Sequence, residues 1–247
     1  MAPANLNHGV GISSDAHTVI RADGVSRVFE TPSEQIFGVR NVSLTVRRGE
    51  FVCLMGPSGC GKSTLLGLLA GLDVPTEGDV AFGEKRISHA SPEERAAIRL
   101  RDIGMVFQEG QLIPEFTALE NAAFPLELLG WSKSESFAAG SKALDQVGLS
   151  NQGKRFPSEL SGGQRQRVGI ARAISGPRQA IIADEPTGSL DHSNSIAIFR
   201  LFRELAESGY AVIVATHDLA ASSFAHRTLR MTDGAVEPVS VENLESV

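Results

Sequence analysis

The strongest constraint on the fold is a glycine-rich turn between an apolar run and a helical pattern. The stretch GPSGCGKST at 56–64 follows EFVCLM at 50–55, and the leucines of STLLGLLAGL at 63–72 recur at helical spacing. Glycines in such a turn let backbone N–H groups point inward and surround an anion. The turn also satisfies the spacing G-x-x-x-x-G-K-S/T in the strand and helix context that this motif requires. The sequence therefore predicts a phosphate-binding loop on an α/β core.

The motif assigns a task to its polar residues. Lys62 is expected to reach the β and γ phosphates of ATP, and the Ser63 hydroxyl is expected to ligate Mg²⁺. ATP and Mg²⁺ are thus the expected cofactors. The residues expected to contact the nucleotide are Gly56, Pro57, Ser58, Gly59, Cys60, Gly61, Lys62, Ser63 and Thr64.

A second apolar run ends in two carboxylates. Asp184 and Glu185 end AIIADE at 180–185, which places them at the carboxyl edge of a sheet, where ligands of open α/β sheets bind. Because neighbouring strand residues point to opposite sides, the two should have different tasks. Asp184 is expected to hold Mg²⁺, and Glu185 is expected to polarise the attacking water.

Two further polar residues follow apolar runs. His217 ends AVIVATH and is expected near the γ phosphate, while Gln108 follows GMVF and can orient water or complete the Mg²⁺ shell without adding charge. Alone, His217 reads as a strand-boundary residue and Gln108 as a surface glutamine. Only the surrounding motifs favour the catalytic interpretation.

The stretch LSGGQ at 160–164 precedes another helical pattern. Ser161 and Gln164 fit the S-x-x-Q capping box, so the simplest interpretation is a well-capped helix. The two intervening glycines cost about 1 kcal/mol each relative to alanine, and the exposed N–H groups of a helix start suit an anion. We expect Ser161, Gly162, Gly163 and Gln164 to complete the ATP site of a second copy, in a head-to-tail homodimer with two-fold symmetry.

The remaining pattern predicts an α/β fold with a P-loop NTPase core. Strands that alternate with helices indicate a largely parallel sheet, and short β segments from Val19 to Val52 indicate an N-terminal antiparallel β subdomain. Helix-like stretches without a strand pattern indicate an inserted α-helical subdomain at about 112–175. We divide the 247 residues into a flexible lead-in at 1–18, an ATPase domain at 19–236 and a tail at 237–247.

Composition argues against several other classes of protein. A hydrophobic content of 42% supports a full core, and a formal net charge of −6 argues against a nucleic-acid-binding surface. No run reaches the roughly 18 apolar residues of a membrane span, and the N-terminus lacks the features of a secretory signal. Cytosol is the expected compartment. Cys53 and Cys60 are expected to be reduced thiols, and no Cys or His cluster predicts a metal site.

Together the motifs resemble those of the nucleotide-binding subunit of ABC transporters, in family order. The resemblance runs from about Val19 to Val236. It comprises Walker A at 56–64, the Q-loop Gln108, the signature at 160–164, Walker B at 180–185, the D-loop SLD at 189–191 and the switch His217. Three longer segments resemble the MacB/LolD/HrtA group: ETPSEQIFGVRNVSL, LIPEFTALENAAFPLELLG and ADEPTGSLD.

The resemblance implies an ABC-type ATPase that drives a separate four-helix, MacB-like membrane subunit through ATP-dependent closure of a homodimer. The cargo would be haem, a lipoprotein, a drug or a peptide, exported or extracted. The subunit would lie at the cytoplasmic face of the cell membrane, held by its partner, whose cytoplasmic helix would enter a groove lined by the region after Gln108. No nucleic-acid partner is expected.

Some residues take their expected role only from the resemblance. Phe29 stands where the family has an aromatic residue, usually tyrosine, that stacks on adenine; the alternative is a core phenylalanine at a strand edge. Asp191 would lie at the dimer seam and couple the two sites. Two departures stand out: Gly169 replaces the usual alanine, which should loosen its helix slightly, and Glu109-Gly110 occupies a place often taken by bulkier residues.

Two other functions stay open at this stage. An ABC ATPase could act as a switch that regulates a membrane-bound cell-wall hydrolase, because its cassette would look the same. A soluble ABC ATPase could instead act on nucleic acid or the ribosome. Such proteins usually carry two cassettes or a long coiled-coil insertion, and this chain shows neither.

Overall fold

The computed structural model describes residues 17–32 and 34–239. The strands are β1 (Thr18–Glu30), β2 (Gln35–Arg47), β3 (Phe51–Met55), β4 (Glu77–Phe82), β5 (Lys85–Arg86), β6 (Ile103–Val106), β7 (Ala180–Asp184), β8 (Ala211–Thr216), β9 (Arg227–Thr232) and β10 (Ala235–Val239). The α-helices are α1 (Lys62–Leu69), α2 (Pro92–Asp102), α3 (Ala118–Leu128), α4 (Lys133–Gln146), α5 (Gly162–Ile174) and α6 (His192–Glu207).

The core of the fold is a six-stranded sheet in the order β10-β9-β3-β8-β7-β6. Its pairs are parallel from β9 to β6, and only β10 runs antiparallel to its neighbour. The strands β3 and β8 are buried along their whole length, as expected for parallel strands covered on both faces. This arrangement confirms the predicted α/β class with a largely parallel sheet.

Alternate residues of the central strands enter two different cores. Val52 and Leu54 of β3 pack in the cluster that contains the leucines of α1 and the valines of β1. Phe51, Cys53 and Met55 point the other way, into a cluster with side chains of α5 and α6. The period of two along a strand thus joins the layers on both faces of the sheet.

The other predicted parts of the fold class are also present. A four-stranded antiparallel sheet, in the order β2-β1-β4-β5, forms the N-terminal β subdomain. Between β6 and β7 the structure describes the helices α3, α4 and α5, which form the inserted helical subdomain. Each of the three begins with a capping box, at Thr117, Ser132 and Ser161.

The boundaries of the regular structure differ slightly from the predicted domain limits. The strand β1 begins at Thr18, and β10 runs to Val239, past the predicted limit at Val236. The lead-in up to residue 16 and the tail from residue 240 lie outside the described residues. None of the helices within residues 17–32 and 34–239 is long and apolar enough to cross a membrane.

Candidate active site

The phosphate-binding loop lies where β3 ends and α1 begins. Gly61 is the N-cap of α1 and has a φ of 110°, in the left-handed region that favours glycine. A Cβ atom at Gly61 would overlap the carbonyl oxygen of Gly38. The sequence therefore needs glycine here for two independent reasons, one conformational and one steric.

The other loop residues have different exposures. Gly56 and Cys60 are buried beneath the loop, while Thr64 is half-buried on α1. Four residues of the loop are exposed and can face a ligand: Pro57, Ser58, Gly59 and Ser63. The exposed edge of the loop is the one that the predicted phosphate would contact.

The ammonium of Lys62 is held inside the loop. Its Nζ donates to the carbonyl oxygens of Gly56 at 2.7 Å and Pro57 at 3.1 Å, and the side chain is only 7% exposed. Buried charges need partners, and Glu185 supplies one with its Oε1 atom 3.7 Å away. The lysine is thus positioned by the backbone of its own loop, with the Glu185 carboxylate close by.

Glu185 follows β7 in a left-handed backbone conformation. Its φ is 46°, and its backbone N–H donates to the carbonyl oxygen of Ala215 at 2.9 Å. A non-glycine residue in this region stores strain, which is common at functional sites. Its Oε2 atom lies 3.0 Å from Nδ1 of His217 at the end of β8. The structure therefore brings together Lys62, Glu185 and His217, whose catalytic roles stay predictions.

Asp184, one residue earlier, has an unsatisfied oxygen. Its Oδ1 atom is buried and has no hydrogen-bond partner among the described residues. A buried carboxylate oxygen without a donor is costly unless a cation or another ligand satisfies it. The prediction of a cation ligand at this position fits that observation.

Gln108 lies near the turn that follows Glu185. A Cβ atom added at Gly188 would lie 3.2 Å from Nε2 of Gln108, and the Gly188 N–H donates to the carbonyl oxygen of Glu185. The next two residues, Glu109 and Gly110, have positive φ values of 57° and 71°, so the chain turns sharply away. The structure places Gln108 beside the acidic turn, with its side chain exposed.

Phe29 is not a core residue. The side chain is 39% exposed, and a Cβ atom added at Gly38 would lie 2.8 Å from its ring and 3.1 Å from Cγ2 of Thr64. The guanidinium of Arg27 lies 4.8 Å from the ring centroid. The ring is therefore an accessible aromatic surface close to the start of α1, where stacking on a base is geometrically open.

The LSGGQ stretch caps α5 as the simplest interpretation predicts. Ser161 Oγ accepts from the Gln164 N–H at 3.3 Å, and the Ser161 N–H donates to Gln164 Oε1 at 2.9 Å. A Cβ atom at Gly163 would lie 2.8 Å from Oδ1 of Asn194, whereas Gly162 has ordinary space. A larger residue at Gly163 would thus displace the side chain of Asn194.

Asp191 caps α6 next to this contact. Its carboxylate accepts from the Asn194 N–H at 2.9 Å and from the Ser193 hydroxyl at 2.7 Å. These hydrogen bonds lower the pKa of Asp191 to about 2, so the side chain is an anion at neutral pH. Its predicted place at a dimer seam is compatible with this exposed position and stays a prediction.

The LSGGQ residues do not join the rest of the site within one chain. Among the hydrogen bonds and ion pairs of residues 17–32 and 34–239, none links 161–164 with the loop at 56–64. Gly162 and Gly163 instead lie against Leu190, which precedes the N-cap of α6, and Asn194 of α6. In the single chain, the LSGGQ helix start and the phosphate-binding loop are therefore two separate elements.

The sequence did not indicate the support beneath the phosphate-binding loop. The Gly234 N–H, in the turn between β9 and β10, donates to the carbonyl oxygen of Cys60 at 3.0 Å, and its carbonyl oxygen accepts from Arg40 at 2.8 Å. This turn, the start of β2 and the loop surround a cavity of about 670 Å³. The dipeptide Asp233-Gly234 was the available signal, because Asp-Gly is a common hairpin turn.

Comparison with known proteins shows the family of the chain. Residues 39–188 match the family described as ABC transporter. The chain is 41% identical over 218 residues to the lipoprotein-releasing system ATP-binding protein LolD of Aquifex aeolicus, covering 88% of this chain and 96% of that protein. It is 40% identical over 218 residues to an uncharacterised ABC transporter ATP-binding protein, MJ1508, of Methanocaldococcus jannaschii, covering 88% and 97%.

Solved structures give the same result. The chain resembles the dimeric structure of MJ0796, a bacterial ABC transporter cassette, with a TM-score of 0.80, 39% identity and coverage of 88% of this chain and 96% of that one. A post-hydrolysis state of the MJ0796 cassette bound to ADP and Pi matches with a TM-score of 0.80, 38% identity and the same coverage. The chain belongs to the ABC transporter family, as one of its ATP-binding and ATP-hydrolysing domains.

Proposed function

We propose that the chain drives a MacB-like membrane transporter, by hydrolysing ATP between two copies of itself. The observation that carries the hydrolytic part is the convergence of Lys62, Glu185 and His217 where β3, β7 and β8 end. The separate LSGGQ element at the start of α5 carries the dimeric part. The similarity to LolD supports the choice of a transporter partner.

Nucleotide binding follows from the shape and charge of the loop. The N–H groups of 56–64 and the N-terminus of α1 surround the phosphates, and Lys62 neutralises the β and γ oxygens. Phe29 offers its exposed ring to the adenine, with stacking but no hydroxyl. The ligand of this site is ATP.

Mg²⁺ fits the side chains that are present. Asp184 has a buried oxygen without a partner, Ser63 has an exposed hydroxyl, and Gln108 brings a neutral amide near the same turn. One carboxylate with a hydroxyl and an amide suits Mg²⁺, which usually takes one or two carboxylates plus substrate phosphates and water. When bound, it supplies charge neutralisation between the phosphates.

Hydrolysis then rests on three side chains. Glu185 accepts a proton from the attacking water, and the 3.0 Å contact of its Oε2 atom with Nδ1 of His217 keeps the carboxylate in place for that task. Lys62 stabilises the charge that spreads over the γ phosphoryl oxygens in the transition state. His217 keeps the carboxylate oriented, and we expect its ring to contact the same phosphoryl group when ATP is bound.

The second copy completes the site. Ser161 and the N–H groups of 162–164 form the start of a helix, and in the described residues this start makes no hydrogen bond or ion pair with its own phosphate-binding loop. In a head-to-tail homodimer, this helix start faces the phosphates bound by the sister chain. Asp191, anionic and exposed beside it, lies at the seam between the copies.

The partner docks in a cavity that none of the residues of the phosphate-binding loop lines. A cavity of about 400 Å³ lies between α2, β6, α3 and α5. Its walls combine apolar and basic side chains: Leu72, Arg99, Leu100, Phe107, Pro125 and Arg172. It is large enough for a few side chains of a helix, and the cytoplasmic helix of a four-helix membrane subunit is the occupant we propose. The chain then works at the cytoplasmic face of the membrane.

Co-expression with the membrane protein encoded beside its gene tests this function. We expect the two to co-purify in detergent. Ala96 lies on α2, lines the cavity and is exposed, so Ala96→Asp should abolish co-purification. The matched Ala138→Asp, at an exposed position of α4 outside the cavity, should not. Substrate flux that depends on hydrolysis would support transport. ATP-driven activation of a cell-wall hydrolase without flux would favour the switch, and ATP-dependent RNA binding by the chain alone would favour the ribosomal alternative.

A further inference from the structure

The helix α5 is fastened to the segment 107–111, which contains Gln108, by two side chains. Gln166 Nε2 donates to the carbonyl oxygen of Phe107 at 3.0 Å. The guanidinium of Arg172 donates to the carbonyl oxygens of Gly110 at 2.7 Å and Gln111 at 2.9 Å. The backbone on both sides of Gln108 is therefore held by the same helix.

A third contact joins the two backbones directly. A Cβ atom at Gly169 would lie 2.8 Å from Cα of Gly110, and a Cβ atom at Gly110 would lie 2.6 Å from the carbonyl oxygen of Arg165. Gly110 also has a φ of 71°, which disfavours other residues. The two departures noted in the sequence are thus one structural feature, a close approach of two glycines. Neither can gain a side chain unless the backbone moves.

Gln166 shows that the attachment has a cost. Its side chain is fully buried, and its Oε1 atom has no partner among the described residues. A buried amide with one unsatisfied end destabilises a fold, and an apolar residue of similar size would avoid that loss. The contribution of this side chain to the fold is therefore its hydrogen bond to the carbonyl oxygen of Phe107.

The same helix begins in the LSGGQ stretch. Ser161 lies eight residues before Gly169, a rise of about 12 Å along a helix. Near its start, Gly163 packs against Asn194, which also donates to the Asp191 carboxylate. One rigid element therefore contacts both the segment of Gln108 and the segment of Asp191.

We infer that α5 sets the position of Gln108, with Gln166, Gly169 and Arg172 as positioning residues. The inference rests on the proposed role of Gln108 at the Mg²⁺ and water side of the site. It also explains the two glycines, Gly110 and Gly169. They let the helix approach closely enough for Gln166 and Arg172 to hydrogen-bond the backbone around Gln108. A shift of α5 then moves Gln108 relative to Glu185.

The first test is Gly169→Ala in the full chain. The added methyl should push the segment 107–111 away, lower kcat for ATP about tenfold, and raise the Mg²⁺ concentration at half-maximal rate. Hydrogen–deuterium exchange of the nucleotide-free chain should rise in a peptide that covers 107–111. Gly67→Ala is the matched control, because a Cβ atom on that helix residue meets nothing within 4 Å.

A second pair of variants keeps the test informative if Gly169→Ala does not fold. Arg172→Gln removes both bonds to Gly110 and Gln111 and should also raise exchange at 107–111, and Arg172→Lys should restore part of the protection. In a Gln108→Ala background, Gly169→Ala or Arg172→Gln should lower kcat by less than about twofold further, because both act through Gln108.

The outcomes separate the inference from the role on which it rests. Unchanged exchange and kcat in Gly169→Ala and Arg172→Gln would overturn the inference. So would losses of kcat that are as large in the Gln108→Ala background as in the wild type. Wild-type hydrolysis in Gln108→Ala alone would instead refute the proposed role of Gln108, and the exchange data would still report whether α5 holds the segment.

Discussion

The Oε2 atom of Glu185 lies 3.0 Å from Nδ1 of His217, at the ends of two adjacent parallel strands. The pairing of β7 with β8 brings the two side chains together, although 32 residues separate them in sequence. The other oxygen, Oε1, lies 3.7 Å from Nζ of Lys62, so the carboxylate stands between a histidine and a lysine.

Replacement of Glu185 by glutamine should stall turnover. The amide keeps the shape of the side chain but cannot accept a proton, so we expect phosphate release to fall by about 10²- to 10³-fold while ATP still binds. Steady-state phosphate release and equilibrium binding of a fluorescent ATP analogue measure the two effects. Glu204→Gln, at an exposed position of α6, should change neither. Full hydrolysis in Glu185→Gln would remove this residue from the role of base.

Asp184→Asn should reduce ATP hydrolysis without reducing the stability of the fold. The substitution removes the charge of a carboxylate whose Oδ1 atom is buried without a partner, so the nucleotide-free protein should melt at the same temperature or higher. Hydrolysis should fall by about 10²-fold or more, because a carboxylate ligand of Mg²⁺ is lost. Calorimetry and ATPase assays at graded Mg²⁺ measure both. A variant that is destabilised but catalytically normal would show that Asp184 is only structural.

Gly61→Ala should disrupt the phosphate-binding loop. The new Cβ atom would overlap the Gly38 carbonyl oxygen and hold alanine at a φ of 110°, so we expect the free energy of unfolding to fall by about 3 kcal/mol or more. Gly83→Ala is the matched control, with a φ of 55° and open space, and should cost about 1 kcal/mol. Urea denaturation measures both. Equal costs would show that the clash with Gly38 is relieved without effect on the fold.

His226 should make stability depend on pH. Its Nδ1 atom accepts the Phe51 N–H at 2.9 Å, so this tautomer must stay neutral. Burial, and then the charge of Arg203, lower its pKa, while Glu50 and Glu207 act in the opposite direction. Because the unfolded chain then binds the proton more tightly, stability should be full above about pH 6.5 and should fall as pH drops toward the lowered pKa.

The control for this prediction is His226→Asn, whose side-chain oxygen can accept from the same N–H but does not titrate. Urea denaturation midpoints between pH 5 and pH 8 should fall less on the acid side for this variant than for the wild type. Parallel profiles for the two proteins would assign the acid sensitivity to other groups.

Local sequence patterns could predict the strands and loops that carry one clear signal, such as a short apolar run or a glycine-rich motif. The strands β3, β7 and β8 are short apolar runs, and β7 and β8 are followed by Glu185 and His217, whose site roles we propose. Both the strands and the positions of these two residues were predictable. The confirmed α/β class follows from this alternation. The hairpin β9–β10 was not predicted, because Arg227–Thr232 mixes charged and apolar residues without a clear period.

The contacts between α5 and Gln108 could not be predicted from local patterns. Gln166 reaches Phe107 across 59 residues, and Arg172 reaches Gly110 across 62. Sequence alone shows Gly110 and Gly169 as two separate departures from a family pattern. Only the tertiary structure shows that they touch, because packing between distant segments leaves no periodic signal in either one.

The proposed enclosure of ATP between two chains is tested most directly by the mass of the ATP-bound protein. Light scattering of Glu185→Gln with ATP and Mg²⁺ should give the mass of two chains, because the stalled site holds the dimer closed. Adding Ser161→Glu to this variant should lower the mass to that of one chain, because a negative charge would then face the phosphates bound by the sister chain. The matched Ser141→Glu, at an exposed position of α4, should leave the dimer intact. A single-chain mass for Glu185→Gln with ATP bound, or a dimer that tolerates Ser161→Glu, would contradict the proposed mechanism.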